Sequence, residues 1–353
     1  MKLKRGISLL LAILCVIALV SCSPSDSSNQ TTTTTQGYTQ PAQTGATVSG
    51  ISVINNIDYT LYIPSSYRAG EEIPLLMALH GGGQGTMGDA GENRNFFADY
   101  TGLNKCAEKY GFIIVYPRQS TKNHSYGYDY WNWYIQQAKD AREPKALHDI
   151  VSEVKKNYTI DDANVYICGL SAGAAMAQIV AVNYPSTFAG CCSVAGIPFK
   201  AGSIYEVNEI QNSGPTIDNE HLAIRIYDAM GTGRKISKML VVTGTADTRV
   251  HPRNSLATAQ TWAMVMKNID KSVDDTLKEE TLTGIDGVEY KKSIHAEMGG
   301  EEICTLYEVI GMEHNWPGSN KGISISISNG KDLGYTGGIN LNEVMCEFFG
   351  LNK

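Results

Sequence analysis

The chain has 353 residues, of which 42% are hydrophobic and 18% charged. That composition can close a full core, and its charge content lies below the ~25% of an ordinary soluble domain, so wholesale disorder is excluded. With 29 Lys and Arg against 36 Asp and Glu the net charge is −7, which offers a phosphate backbone no basic field, so nucleic acid is excluded as a partner.

Lys2, Lys4 and Arg5 precede the apolar run Ile7–Val20, which is shorter than the ~20 residues needed to cross a bilayer as a helix and reads as a secretory signal. The run ends in Leu19-Val20-Ser21-Cys22, the form of a bacterial lipobox. Residues 1–22 are therefore expected to be a lipoprotein signal peptide, with Cys22 the lipidated residue. The protein is then extracellular, anchored to the bacterial membrane through lipid alone. Residues 23–46 contain no Val, Ile, Leu, Met, Phe or Trp, so nothing in them offsets the entropy of ordering, and they are expected to form a disordered tether.

From residue 47 to 353 strand-like runs alternate with amphipathic helical stretches, the pattern of one α/β domain whose sheet is mostly parallel and carries helices on both faces. The expected strands are Ser49–Ile54, Tyr59–Ile63, Leu75–Leu79, Phe112–Tyr116, Asn164–Cys168, Gly190–Val194, Met239–Thr243, Val288–Ile294 and Thr305–Ile310. Ala146, Leu147, Ile150, Val151 and Val154 share one helix face, in a segment with Pro144 near its first turn. Further helices are expected at Asn104–Tyr110, Ala172–Asn183, Asn254–Lys267 and Leu341–Phe349. The connections Gln119–Lys139, Pro198–Lys235 and Gly311–Gly338 are long for a compact domain, as loops that wall a functional site are.

The chemistry concentrates at strand ends. The apolar strand through Cys168 runs into Gly169-Leu170-Ser171-Ala172-Gly173 and then an apolar helix. This is Gly-x-Ser-x-Gly in a strand-to-helix elbow, which lifts a serine hydroxyl to the end of the sheet and makes Ser171 the candidate nucleophile. The elbow also puts the Ala172 amide at a helix N-terminus, where it can hold an oxyanion. Upstream, Leu79 leads into His80-Gly81-Gly82-Gly83-Gln84, a turn that supplies the second oxyanion donor in hydrolases of this type; Gly82 is the candidate, and His80 reads as scaffold for the turn. A serine needs a base and an orienting carboxylate, which follow it in the order acid, then histidine, in this fold. Asp247, on the loop after Met239–Thr243, and His314, after Thr305–Ile310, satisfy both the order and the strand-end placement. His124, His148, His221, His251 and His295 do not.

With those stretches in place, the sequence resembles the polyhydroxybutyrate depolymerase-like esterases, which shade into feruloyl and acetylxylan esterases of carbohydrate esterase family one. The resemblance also rests on Tyr116-Pro117-Arg118-Gln119-Ser120, Tyr130-Trp131-Asn132-Trp133, Gly244-Thr245-Ala246-Asp247 with Val250-His251-Pro252, and Gly311-Met312-Glu313-His314-Asn315-Trp316-Pro317-Gly318. It implies an α/β-hydrolase fold and a cofactor-free serine esterase. Members often have a pair of cysteines where this chain has Gly82 and Tyr130, so the resemblance implies that a loop bridge is missing. Trp131, Trp133 and Trp316 are candidates to line the cleft and stack on an aromatic acyl group or a sugar; the alternative is that they fill core beneath it.

No C-x-x-C framework, His-x-x-x-His, EF-hand loop or Gly-x-x-x-x-Gly-Lys segment is present, so neither metal nor nucleotide is expected. Cys168, Cys191 and Cys192 read as buried hydrophobes, the last two on opposite faces of a strand. Cys304 with Cys346 is the one pair suspected of bridging. The expected substrates are feruloyl or acetyl esters of plant polysaccharide fragments, with polyhydroxyalkanoate oligomers second. The contrary reading, a non-catalytic ligand-binding lipoprotein, would require decayed triad positions.

Overall fold

Alternation along the strands builds two cores. In the strand Ile73–Leu79, the side chains of Leu75, Met77 and Leu79 enter one apolar cluster while Leu76 and Ala78 enter the other, as the period of two of a strand covered on both faces dictates. This computed structural model describes residues 46–54, 57–84, 96–119, 130–319 and 335–353. Cys22, the signal segment 1–22 and the tether through residue 45 lie outside the described residues, as do residues 120–129 and 320–334 within two of the long connections.

Among the described residues the strands are β1 (Ala46–Ile54), β2 (Ile57–Ile63), β3 (Ile73–Leu79), β4 (Ile113–Arg118), β5 (Ile160–Leu170), β6 (Gly190–Val194), β7 (Lys238–Gly244), β8 (Lys278–Thr283), β9 (Glu289–Met298) and β10 (Glu301–Val309). They form one sheet in the order β1-β2-β4-β3-β5-β6-β7-β10-β9-β8. The block β4-β3-β5-β6-β7-β10 is parallel; β1 and β2 at one margin and β9 and β8 at the other are antiparallel. The helices are α1 (Phe96–Thr101), α2 (Leu103–Tyr110), α3 (Arg142–Asn157), α4 (Ala172–Asn183), α5 (Val207–Ser213), α6 (Asn219–Met230), α7 (Arg253–Ile269) and α8 (Leu341–Phe349). Buried residues of α3, α4, α6 and α7 join the first cluster and those of α1, α2 and α8 the second, so helices cover both faces.

Three expectations need correction. β8, Lys-Glu-Glu-Thr-Leu-Thr, is exposed throughout; an edge strand guarded by charge has no apolar alternation to announce it. The segment Pro198–Lys235 is not a bare loop but carries α5 and α6. Cys304 and Cys346 lie on opposite sides of the sheet and do not bridge. The Cys304 thiol donates to Ala259 O, while Cys346 sits beside Cys106. Cys191 and Cys192 do part to opposite faces. All six described cysteines are free, and burial pushes the thiols of Cys168, Cys191, Cys192 and Cys304 up, away from the reactive thiolate.

Candidate active site

Parallel register brings the candidate residues to one edge. Leu79 of β3 pairs with Gly169 of β5, Leu170 with Val194 of β6, and Gly244 of β7 with Val309 of β10. The turns that follow all leave from the carboxyl edge of the parallel block, where open α/β sheets bind their ligands.

At the elbow, Ser171 has φ 57° and ψ −121°, a conformation that L-residues avoid and that costs about 1–3 kcal/mol. The Ser171 amide donates to Val194 O at 2.9 Å, which pins the turn to β6. Its flanking glycines are forced by space: a Cβ at Gly169 would lie 2.4 Å from Gly173 C, and one at Gly173 only 2.3 Å from Leu79 O and 2.4 Å from His80 O. Gly173→Ala is therefore expected to destabilise the fold by about 3 kcal/mol, because backbone rather than a pliable side chain must give way. A denaturant midpoint equal to wild type would contradict that packing.

The acid and the histidine are joined by their own turns. A Cβ on Gly244 would lie 2.0 Å from Met312 O, and the Ala246 amide donates to that oxygen at 3.0 Å. Asp247 Oδ1 accepts the amides of Arg249 at 2.8 Å and Val250 at 2.9 Å. Its Oδ2 lies 2.7 Å from His314 Nδ1, with the Asp247 side chain fully buried and that of His314 14% exposed. The other described histidines are placed otherwise. His148 stacks on Tyr184 at 4.1 Å and burial pushes its imidazole below the ordinary range; burial lowers His295 likewise. His221 pairs with its helix cap Asp218, and His251 Nδ1 accepts the Arg253 amide at 3.2 Å.

Ser171 and His314 face one cleft of about 510 Å³, together with Gly82, Tyr130, Leu170 and Arg249. Ala172 is the first residue of α4, beside Ser171. The Gly81 amide is committed to Gln84 Oε1 at 2.7 Å. His80 holds two loops together: the Gln119 amide donates to its Nε2 at 3.0 Å, which leaves Nδ1 to donate to Gly81 O at 2.7 Å.

The tryptophans depart from the cleft-lining expectation. Trp131, Trp133 and Trp316 are all buried and none is among the residues that line the cleft; each indole is held by neighbouring side chains or backbone. Trp131 Nε1 donates to His80 O at 3.1 Å, Trp316 Nε1 donates to Asn342 Oδ1 at 2.9 Å, and Trp133 packs edge-on against Tyr134. Tyr100 and Tyr130 supply the aromatic wall instead.

A buried carboxylate, not anticipated from the sequence, holds the Trp-Asn-Trp segment that follows Tyr130. Glu143 is fully buried and accepts from the Asn132 amide at 2.8 Å, from Asn132 Nδ2 and from Gln119 Nε2 at 2.7 Å, with Arg142 at 3.0 Å. Burial pushes its carboxyl up, against the lowering effect of those donors and of the Arg142 charge. Gln119 in turn holds His80, so Glu143 links the Trp-Asn-Trp segment to the glycine turn. A Cβ on Gly82 would lie 3.5 Å from Tyr130 Cβ, a separation that a disulfide can span, so the two positions are placed where a loop bridge would sit and this chain has no cysteine at either. Among the described residues, no three His, Cys, Asp or Glu side chains are grouped to hold a metal ion.

The parallel block, helices on both faces and a strained serine elbow define an α/β hydrolase. The chain belongs to the esterase PHB depolymerase family, whose match covers residues 57–272. It is 26% identical over 267 residues to poly(3-hydroxyalkanoate) depolymerase C of Paucimonas lemoignei, covering 74% of this chain and 59% of that protein. The chain thus spans well under two thirds of the depolymerase. It is 27% identical to acetylxylan esterase A of Emericella nidulans, covering 69% of this chain and 83% of the relative. The acetyl xylan esterase from Aspergillus awamori superposes with a TM-score of 0.60 at 20% identity, covering 87% of this chain and 98% of that structure, which shows the shared fold.

Proposed function

We propose that the chain is a serine carboxylic-ester hydrolase acting through Ser171, His314 and Asp247. The observation that carries this reading is the 2.7 Å contact between Asp247 Oδ2 and His314 Nδ1, with His314 and Ser171 facing the same cleft. Asp247 fixes the tautomer in which Nδ1 carries the proton, so Nε2 is free to take the proton of Ser171 as its Oγ bonds to the ester carbonyl carbon. The resulting oxyanion is held by the amides of Ala172 and Gly82. Collapse of the intermediate breaks the bond to the alcohol, which leaves with the proton from His314. Water then repeats the cycle on the acyl-enzyme and releases the acid.

Acetyl or feruloyl esters on plant polysaccharide fragments are the proposed substrates, a reading supported by the acetylxylan esterase relative. Polyhydroxyalkanoate oligomers stand second, supported by the depolymerase relative. Cys22, through its lipobox, is the proposed lipid anchor that holds the enzyme at the outer face of a bacterial membrane.

The test is twofold. A fluorophosphonate probe should label the chain at Ser171; a chain that resists the probe and cleaves no simple ester would overturn the catalytic reading. Acetylated xylo-oligosaccharide, methyl ferulate and soluble hydroxybutyrate oligomers, compared at equal concentration, should give the highest kcat/KM on one of the first two. A higher value on the hydroxybutyrate oligomers would reverse the order of substrates.

A further inference from the structure

The segment between β6 and β7 places a short helix against the cleft. Asn208, Gln211 and Asn212 of α5 all line it, at spacings of three and four residues that put them on one helix face. The opposite side of α5 is fixed. Ile210 is buried in the core, Asn254 Nδ2 donates to Ile210 O at 2.7 Å, and the His251 amide donates to Gln211 O at 2.8 Å. Gly202 and Gly214 let the chain close on its neighbours: a Cβ at either would come within 2.7 Å of Ile210 Cδ1 or 2.9 Å of Arg253 Cβ. The backbone of α5 is thus tied to the loop that carries Asp247 and to α7, while Asn208, Gln211 and Asn212 line the cleft.

This placement distinguishes the two halves of an ester. The departing alcohol takes its proton from His314, so it lies at the His314 end of the cleft. His314 is held by Asp247, and α5 is hydrogen-bonded to the loop that follows Asp247. The glycine turn, Tyr130 and Leu170 line the same cleft, and among the described residues no backbone hydrogen bond joins them to α5. We infer that Asn208, Gln211 and Asn212 are specificity residues that bind the hydroxyls of a sugar on the alcohol side of the ester, an inference that rests on the esterase reading above. A carboxamide offers both donors and an acceptor, which matches a polyol and leaves the methyl branches of a hydroxybutyrate chain without a partner. A site built to hydrogen-bond hydroxyls discriminates against analogues that lack them.

The experiment holds the acyl group constant and varies the alcohol. Wild type and the triple variant Asn208→Ala, Gln211→Ala, Asn212→Ala are compared on acetylated xylo-oligosaccharide and on 4-nitrophenyl acetate. The ratio of kcat/KM, sugar ester over aryl ester, should fall by about 100-fold, since each of the three hydrogen bonds lost is worth roughly fivefold. Unacetylated xylo-oligosaccharide should also inhibit aryl acetate hydrolysis by wild type and lose that effect in the variant, a readout taken on folded, active enzyme. An unchanged ratio together with unchanged inhibition would overturn the inference and leave the esterase reading standing. Wild type without esterase activity on either substrate would overturn the esterase reading itself.

Discussion

Replacing Ser171 by alanine is expected to lower kcat/KM on a 4-nitrophenyl ester by about 10⁴- to 10⁶-fold while leaving the protein folded. The size follows from removing the atom proposed to form the acyl-enzyme: what would remain is binding and oxyanion stabilisation, which act on water attack alone. Stability should change by less than about 1 kcal/mol, because the elbow is held by the Ser171 amide on Val194 O and by the fit of Gly169 and Gly173, none of which involves the hydroxyl. Esterase turnover and a denaturation midpoint measured on one preparation separate the two effects. A variant that keeps a tenth of wild-type activity would remove Ser171 from the mechanism.

Asp247→Asn should lower kcat/KM by about 10³- to 10⁴-fold although it preserves shape. The reason lies in how the carboxylate is used. Its Oδ1 accepts two backbone amides, from Arg249 and Val250, so in the variant the carboxamide oxygen must occupy that place. The NH2 group is then turned to His314, at the position now 2.7 Å from Nδ1. Nδ1 can only accept from it, the imidazole proton moves to Nε2, and the nitrogen that should take the Ser171 proton is already protonated. A loss smaller than tenfold would show that His314 does not depend on Asp247 for its tautomer.

The sequence made the elbow and the strand ends legible because both are local. Gly169, Ser171 and Gly173 need close approach and a strained turn, and the bounds of β6, α4 and α8 follow from continuous apolar runs or a clean helical face. Asp247 and His314 were identifiable as candidates because each follows an apolar strand; only the pairing of β7 with β10 brings them into contact. Depth was not legible. Trp131 and Trp133 occupy the kind of long connection that walls a site, yet whether an indole faces ligand or core depends on a distant acceptor such as His80 O. The same applies to Glu143, whose partners Gln119 and Asn132 reach it from two other segments. Cys304 and Cys346, the one pair suspected of bridging, are separated by one layer of sheet, a separation that spacing along the chain does not reveal. The α5 segment carried a usable signal, Val207 and Ile210 spaced for burial against Asn208, Gln211 and Asn212, but its single short turn pattern was lost among polar neighbours.

The left-handed backbone at Ser171 has a consequence for laboratory evolution. At φ 57° glycine is the residue with least strain, so glycine there relieves part of the roughly 1–3 kcal/mol held in the turn. A selection for heat resistance alone would therefore favour losing the serine side chain, and on the proposed mechanism the variants it enriched would be sturdier and inert. Thermal screening of this protein must be paired with turnover at every round, since at this position endurance and reactivity pull in opposite directions.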